Sequence, residues 1–336
     1  MKMEEIRQRA REKLQGFCRV CRRCDGRACA GEVPGMGGIL SGRAFQNNVS
    51  ALDMYYVNLR TIHQVEKPDT SIKLFGRSFQ TPVFVAPLTG ASYNMGGALS
   101  EAELASCLVK GAQLAGSCAF TGDGAEADIY AAGLAALKKH GGGAAIIKPR
   151  SMEKIKEFIR LAEENGAYAV GIDIDGAGLV TMALKGQPVG PKSYYQLREL
   201  IGMTSLPFIL KGIMTVQEAE MAVEMGVAAV VVSNHGGRVL DCTPGVAEVL
   251  PEIVERVKGE ITVIADGGIR SGIDVLKMLA LGADAVLIGR PAIWGAFGGG
   301  SMGVRKIIET MTEQLCHGML MTGCVNLKAV DHHVIY

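Results

Sequence analysis

The chain has 336 residues, 48% of them apolar and 21% charged, with a net charge of +1. That composition supports a sizeable core, excludes a disordered chain and lacks the basic excess that nucleic-acid binding calls for. No apolar run approaches the ~18–20 residues of a membrane helix, and the opening Met-Lys-Met-Glu-Glu-Ile-Arg-Gln-Arg carries no secretory core, so a cytoplasmic protein free of membranes is expected.

In chain order, residues 3–15 predict a short charged helix. Cys18, Cys21, Cys24 and Cys29 follow at 2-2-4 spacing, interleaved with Arg19, Arg22, Arg23 and Arg27. Four thiolates so spaced can close around one tetrahedral zinc or a small iron–sulfur cluster. The arginines would lower the thiol pKa values. A reduced, redox-sensing thiol patch is the other reading, and a cluster near a redox cofactor could relay its electrons. Nine cysteines without a secretory signal argue against disulfides. Cys107, Cys118, Cys242, Cys316 and Cys324 are scattered and read as core or incidental. A glycine-rich connector, Gly31 to Gly42, divides this extension (1–42) from the rest of the chain (43–336).

From Ser71 onward, short apolar runs alternate with helix-length amphipathic segments. Strands are predicted at Pro82–Leu88, Cys118–Asp123, Ala144–Pro149, Tyr168–Asp173, Pro207–Ile213, Ala228–Asn234, Thr262–Ile269 and Ala285–Pro291. Helices are predicted near 100–115, 127–139, 152–164, 194–203, 215–225, 245–258, 272–281 and 303–320. In the helix Met152–Glu164, Ile155, Phe158, Ile159 and Ala162 fall on one face. Gly116, Gly166, Gly226 and Gly282 sit where left-handed C-terminal caps are needed. Eight such units in series predict an α/β fold, a (β/α)8 TIM barrel carrying the short cysteine-rich N-terminal extension; a doubly wound sheet is the alternative.

In a barrel the C-terminal strand tips share one rim. That rim gathers Ala86, Pro87, Thr121, Gly122, Lys148, Asp173, Asp175, Lys211, Ser233 to Arg238, Asp266 to Arg270, Gly289 and Arg290. Loops after the seventh and eighth strands commonly hold phosphate on backbone N–H groups. Gly267-Gly268 and Gly289-Arg290 suit that task, with Arg290 as a bidentate donor.

Ser233-Asn234-His235-Gly236-Gly237-Arg238-x-Leu240-Asp241 resembles the signature of the FMN-dependent α-hydroxy acid oxidases and dehydrogenases. Leu210-Lys211-Gly212-Ile213, Asp266-Gly267-Gly268-Ile269-Arg270 and Ile288-Gly289-Arg290-Pro291 resemble family motifs in family order. The resemblance is strong from about 207 to 323 and traceable from about 74 to 175. It implies FMN contacts at Ala86, Pro87, Gly122, Lys211, Ser233, Asp266, Gly267, Gly268, Arg270, Gly289 and Arg290. It places Lys211 beside the flavin N1 and O2, where charge grows on reduction. His235 becomes the general base, oriented by Asp175, and Arg238 the anchor of a substrate carboxylate. A salt bridge to a rim carboxylate is the alternative for Lys211, and Asp241 the alternative partner of Arg238.

The pattern departs from the family in the third and fourth units. Gly143 and Ala145 stand where the family's glutamine and tyrosine would, Asp173 replaces a threonine, and Gly176 to Met182 contains no arginine. The expected pocket is roomier and less cationic. Oxidation of a lactate- or glycolate-like 2-hydroxy acid is the first expectation. A type 2 isopentenyl diphosphate isomerase-like reaction and a flavin- or metal-binding redox sensor are the alternatives. A homo-oligomer, as a tetramer, and an electron-transfer partner are also expected.

Overall fold

A computed structural model describes residues 1–336. A hairpin of β1 (Ile72–Leu74) and β2 (Arg77–Phe79) precedes eight parallel strands: β3 (Val83–Val85), β4 (Phe120–Gly122), β5 (Ala144–Ile147), β6 (Ala169–Asp173), β7 (Phe208–Ile213), β8 (Ala229–Val232), β9 (Thr262–Asp266) and β10 (Ala285–Ile288). Their order is β3-β10-β9-β8-β7-β6-β5-β4. The ring closes where the Val85 N–H donates to the Cys118 carbonyl at 2.9 Å, just ahead of β4. All eight expected strands and all eight expected barrel helices are present, so the barrel, rather than the open sheet, is the fold.

The strands are apolar throughout because both faces are covered. Alternate residues point inward. Phe84, Phe120, Ile146, Ile209, Val231, Ile264 and Leu287 fill the barrel, while Val83, Val85, Ile147, Val230, Val263 and Val286 pack outward under the helices. The hairpin drops Leu74 and Phe79 into the inner cluster, and the Phe79 and Phe84 rings meet at 5.0 Å. Gly116, Gly166, Gly226 and Gly282 all adopt the expected positive φ.

The last helix begins earlier than expected. It spans Arg290–Thr322 and is kinked at Gly300 (φ 58°, ψ −147°). Glycine is a poor helix former, so the run Gly298-Gly299-Gly300 hides the first half of this helix. Those glycines have a packing role. A Cβ on Gly298 would lie 2.0 Å from the Ile6 carbonyl oxygen, so the absence of side chains lets the helix Met3–Lys13 press against this helix. Ile6, Ala10 and Leu14 are thereby fully buried.

Candidate active site

The strand tips deliver their polar residues to one cavity. The register sets the first contact: Asp173 on β6 pairs directly with Lys211 on β7. Lys211 Nζ lies 3.1 Å from Asp173 Oδ1, 3.3 Å from Ser233 Oγ and 3.7 Å from Asp266 Oδ2. Lys148, from the tip of β5, is ion-paired to the other Asp173 oxygen. The salt bridge offered as an alternative for Lys211 is therefore present, and the same ammonium also borders the cavity. Burial disfavours its charge, but Asp173, Asp175 and Asp266 outweigh that and hold its pKa above the ordinary lysine value. Burial likewise works against ionised Asp173, yet His235, Lys148 and Lys211 hold it well below the usual carboxylate range.

His235 and Asp175 meet as expected, with Nδ1 3.0 Å from Asp175 Oδ1. Asp173 Oδ2 is the second neighbour of that nitrogen, at 3.5 Å. Nε2 is left for the cavity. His235 carries φ +57°, a conformation that non-glycine residues seldom adopt. A hydrogen bond from its N–H to Ser233 Oγ, 3.1 Å, helps hold it there. Asp175 lies behind the histidine rather than on the wall. Burial and then Asp173 push its pKa up, and its Oδ2 is buried without a partner. The space it occupies is made by a β-bulge at Gly212 (φ +101°), where a Cβ would lie 2.6 Å from the Asp175 carboxyl carbon.

Three guanidiniums face the same cavity, and none has a carboxylate partner within salt-bridge distance. Arg238 does not pair with Asp241. It donates to the carbonyls of Gly35 and Gly37 and to Asn94 Oδ1 at 3.0 Å, while Asp241 accepts from the Ser41 and Ala44 N–H groups. Arg290 donates to the carbonyls of Met36 (2.9 Å), Gly37 (3.3 Å) and Gly236 (3.2 Å) and lies over the Phe45 ring, 3.6 Å from its centroid. Arg270 Nε donates to the Cys24 carbonyl, but its Nη2 is buried with no acceptor. Burial, with repulsion from Arg290 on Arg238 and from Arg270 on Arg290, brings Arg238 and Arg290 down to about 10, so both stay charged at neutral pH. Partly buried cations without carboxylates call for anionic ligands.

Of the expected FMN contacts, Ala86, Pro87, Lys211, Asp266, Gly267, Gly268, Arg270, Gly289 and Arg290 line the cavity, as does Arg238. Gly122 and Ser233 do not. A Cβ on Gly122 would meet Thr89 and Pro87, and Ser233 is fully buried, accepting from Lys211 and donating to Asp266 Oδ2 at 2.9 Å. The glycines of the motifs serve a neighbour that the sequence left unassigned. Cβ atoms on Gly237 and Gly268 would lie 2.4 Å from Phe45 N and 2.3 Å from the Asn48 carbonyl oxygen. They admit the helix Arg43–Asp53, which is tied to the signature by Asn48 Nδ2 donating to Asn234 Oδ1 at 2.7 Å. Gly143 and Ala145, matched to the family's glutamine and tyrosine, do not reach the cavity; Ala145 packs in the outer layer. The tyrosine on the wall is Tyr93, after β3, with Asn94, Leu179 and Thr181 nearby.

The four cysteines also converge. Cys18, Cys21, Cys24 and Cys29 line a smaller cavity, which shares Met36 and Arg290 with the large one. The expected lowering of the thiol pKa values by arginine does not hold. Arg19 and Arg23 are paired with Glu32 and Asp53. Burial raises Cys18 and pushes Cys29 up to about 11.

Residues 36–185 and 181–336 match the FMN-dependent dehydrogenase family; the cysteine segment lies outside the match. The chain is 44% identical to mouse 2-hydroxyacid oxidase 1 over 162 residues, which span 43% of that enzyme and 48% of this chain. It is 30% identical to human 2-hydroxyacid oxidase 2 over 317 residues, covering 86% of this chain and 88% of that one. A solved mandelate oxidase with 2-hydroxy-phenylacetamide superposes with a TM-score of 0.78 at 29% identity, covering 99% and 97% of the two chains.

Proposed function

Because this chain belongs to the FMN-dependent dehydrogenase family, we propose that it oxidises a small 2-hydroxy acid, lactate- or glycolate-like, to the 2-oxo acid. The observation that carries this reading is the set of guanidiniums without carboxylate partners, facing one cavity together with His235. Two anionic groups are wanted there, and FMN with a hydroxy acid brings a phosphate and a carboxylate.

The residues present fit FMN. Arg270, with its unpartnered Nη2, and Arg290, at the start of a helix whose first N–H groups have no intrahelical acceptor, would hold the phosphate. Lys211 would stand by the part of the flavin that gains charge. When bound, FMN supplies the two-electron acceptor. Arg238 holds the substrate carboxylate in a planar, charged contact. His235 Nε2 receives the hydroxyl proton, and Asp175 on Nδ1 fixes the tautomer and offsets the charge that develops on the ring. Lys148, on the cavity wall and ion-paired to Asp173, would be the second cation beside the substrate in place of the missing arginine.

The isomerase-like alternative is not favoured by relatives that are oxidases of hydroxy acids. No helix is long and apolar enough to cross a membrane; a cytoplasmic homo-oligomer passing electrons to a partner completes the reading. Anaerobic bleaching of the bound flavin by a panel of 2-hydroxy acids tests it. We expect at least one to bleach the flavin, and His235→Ala to slow bleaching by about 10²–10⁴-fold while FMN stays bound. A wild-type flavin that no hydroxy acid bleaches would overturn the assignment.

A further inference from the structure

We propose that Cys18, Cys21, Cys24 and Cys29 ligate an iron–sulfur cluster of four irons and four sulfides, set beside the flavin cavity across Arg290 and Met36. This is independent of which substrate the large cavity takes. All four cysteines are free thiols, and all four line the same small cavity. They sit on a stretch without helix or strand, so regular main-chain hydrogen bonding does not bring them together. The stretch is instead pinned from outside: Arg11 donates to the Arg19 and Val20 carbonyls, both at 3.1 Å, and Arg270 to that of Cys24 at 3.2 Å.

The open arrangement of the sulfurs favours the larger occupant. A single zinc, with Zn–S bonds of about 2.3 Å, draws four sulfurs to roughly 3.8 Å from one another. The only trio of ligating side chains whose atoms all lie within 4.8 Å is Asp173, Asp175 and His235; no three of the thiols draw that close. A cluster spreads its thiolate ligands over several irons and suits that wider spacing, and short two-residue intervals such as Cys18-x2-Cys21-x2-Cys24 are its familiar ligand run.

Two donors face the Cys18 sulfur. The Val20 N–H donates to Cys18 Sγ at 3.4 Å. The Trp294 side chain is 97% buried, and its Nε1 has no hydrogen-bond partner, with the Cys18 sulfur as its polar neighbour. A buried indole N–H left so is costly; the Cys18 sulfur is the acceptor at hand, weak as a thiol and stronger as a ligating thiolate. Arg290, on the shared wall, offsets the negative charge of four thiolates.

The test is metal and sulfide analysis of the full-length, FMN-containing protein purified without oxygen, with electron paramagnetic resonance after dithionite reduction. About four irons and four acid-labile sulfides per chain are expected, with a reduced-cluster signal distinct from any flavin radical. Cys24→Ser and Cys29→Ser should each lose most of that iron and the signal while keeping FMN. The wild-type measurement decides the matter even where a variant fails to fold. One zinc per chain without sulfide, or iron below about 0.2 per chain after reconstitution with iron and sulfide, would overturn the proposal. Neither result bears on whether a hydroxy acid bleaches the flavin.

Discussion

At the residue scale, the site turns on one carboxylate that the sequence placed on the rim but gave no role beyond a departure from the family. Asp173 is 2% exposed in its side chain and holds two ammoniums, Lys148 and Lys211, at one rim. Removing one partner of such a group leaves buried charges uncompensated, at about 3–5 kcal/mol. Asp173→Asn should therefore lower the urea midpoint at pH 7. The pH dependence has a definite sign. The folded protein holds Asp173 ionised to well below the usual range, whereas an unfolded chain titrates its aspartates near ~3.9. The stability it contributes is full above that value and fades as pH falls from there through the depressed folded pKa. The gap between wild type and Asp173→Asn should be widest near neutrality and narrow toward about pH 3. A gap that widened in acid would refute this account of the pair.

At the element scale, glycines decide which pieces can touch. Gly268 has φ +79°, and a Cβ there would lie 2.3 Å from the Asn48 carbonyl oxygen, a main-chain atom that cannot step aside alone. Gly268→Ala should strain the backbone by about 1–3 kcal/mol and push the helix Arg43–Asp53 off the rim. Phe45, under Arg270 and Arg290, would move with it, so FMN should bind at least several-fold more weakly in a flavin titration. Unchanged flavin affinity would detach that helix from the cofactor. The example also shows what a sequence can disclose. The barrel was legible because its signals are local: apolar runs of strand length, amphipathic periods and glycine caps. Ser233 to Arg238 announced itself because polar groups so abruptly end a buried run. The helix Arg43–Asp53 was not legible, since Phe-Gln-Asn-Asn has little helical bias, Gly42 offers no side-chain cap, and what fixes it is Asn48 reaching Asn234 across 186 residues. Tyr93 was missed for the same reason: only closure of the barrel brings its short helix, Ala91–Met95, to the cavity that His235 lines.

For the whole molecule, the question is what the first forty residues do for the barrel. They lie across the rim: the carbonyls of Gly35, Met36 and Gly37 receive the donors of Arg238 and Arg290. The helix Met3–Lys13 anchors that arrangement at its far end, burying Ile6 and, just beyond it, Leu14 against the final helix. Each of these side chains contributes about 1.5–3 kcal/mol by leaving water, and removing them also uncovers Trp294 and Phe297, now at 3% and 0% exposure. A chain starting at Phe17 should thus lose on the order of 5 kcal/mol, a fall of roughly 10 °C in Tm by thermal scanning. The same chain should bind FMN less tightly, because the carbonyls that orient Arg238 and Arg290 would hang on an untethered strand of backbone. Two readouts, stability and flavin affinity, should fall together. Should the shortened chain keep a Tm within about 2 °C of the full one, the N-terminal helix is an appendage and not a buttress of the site.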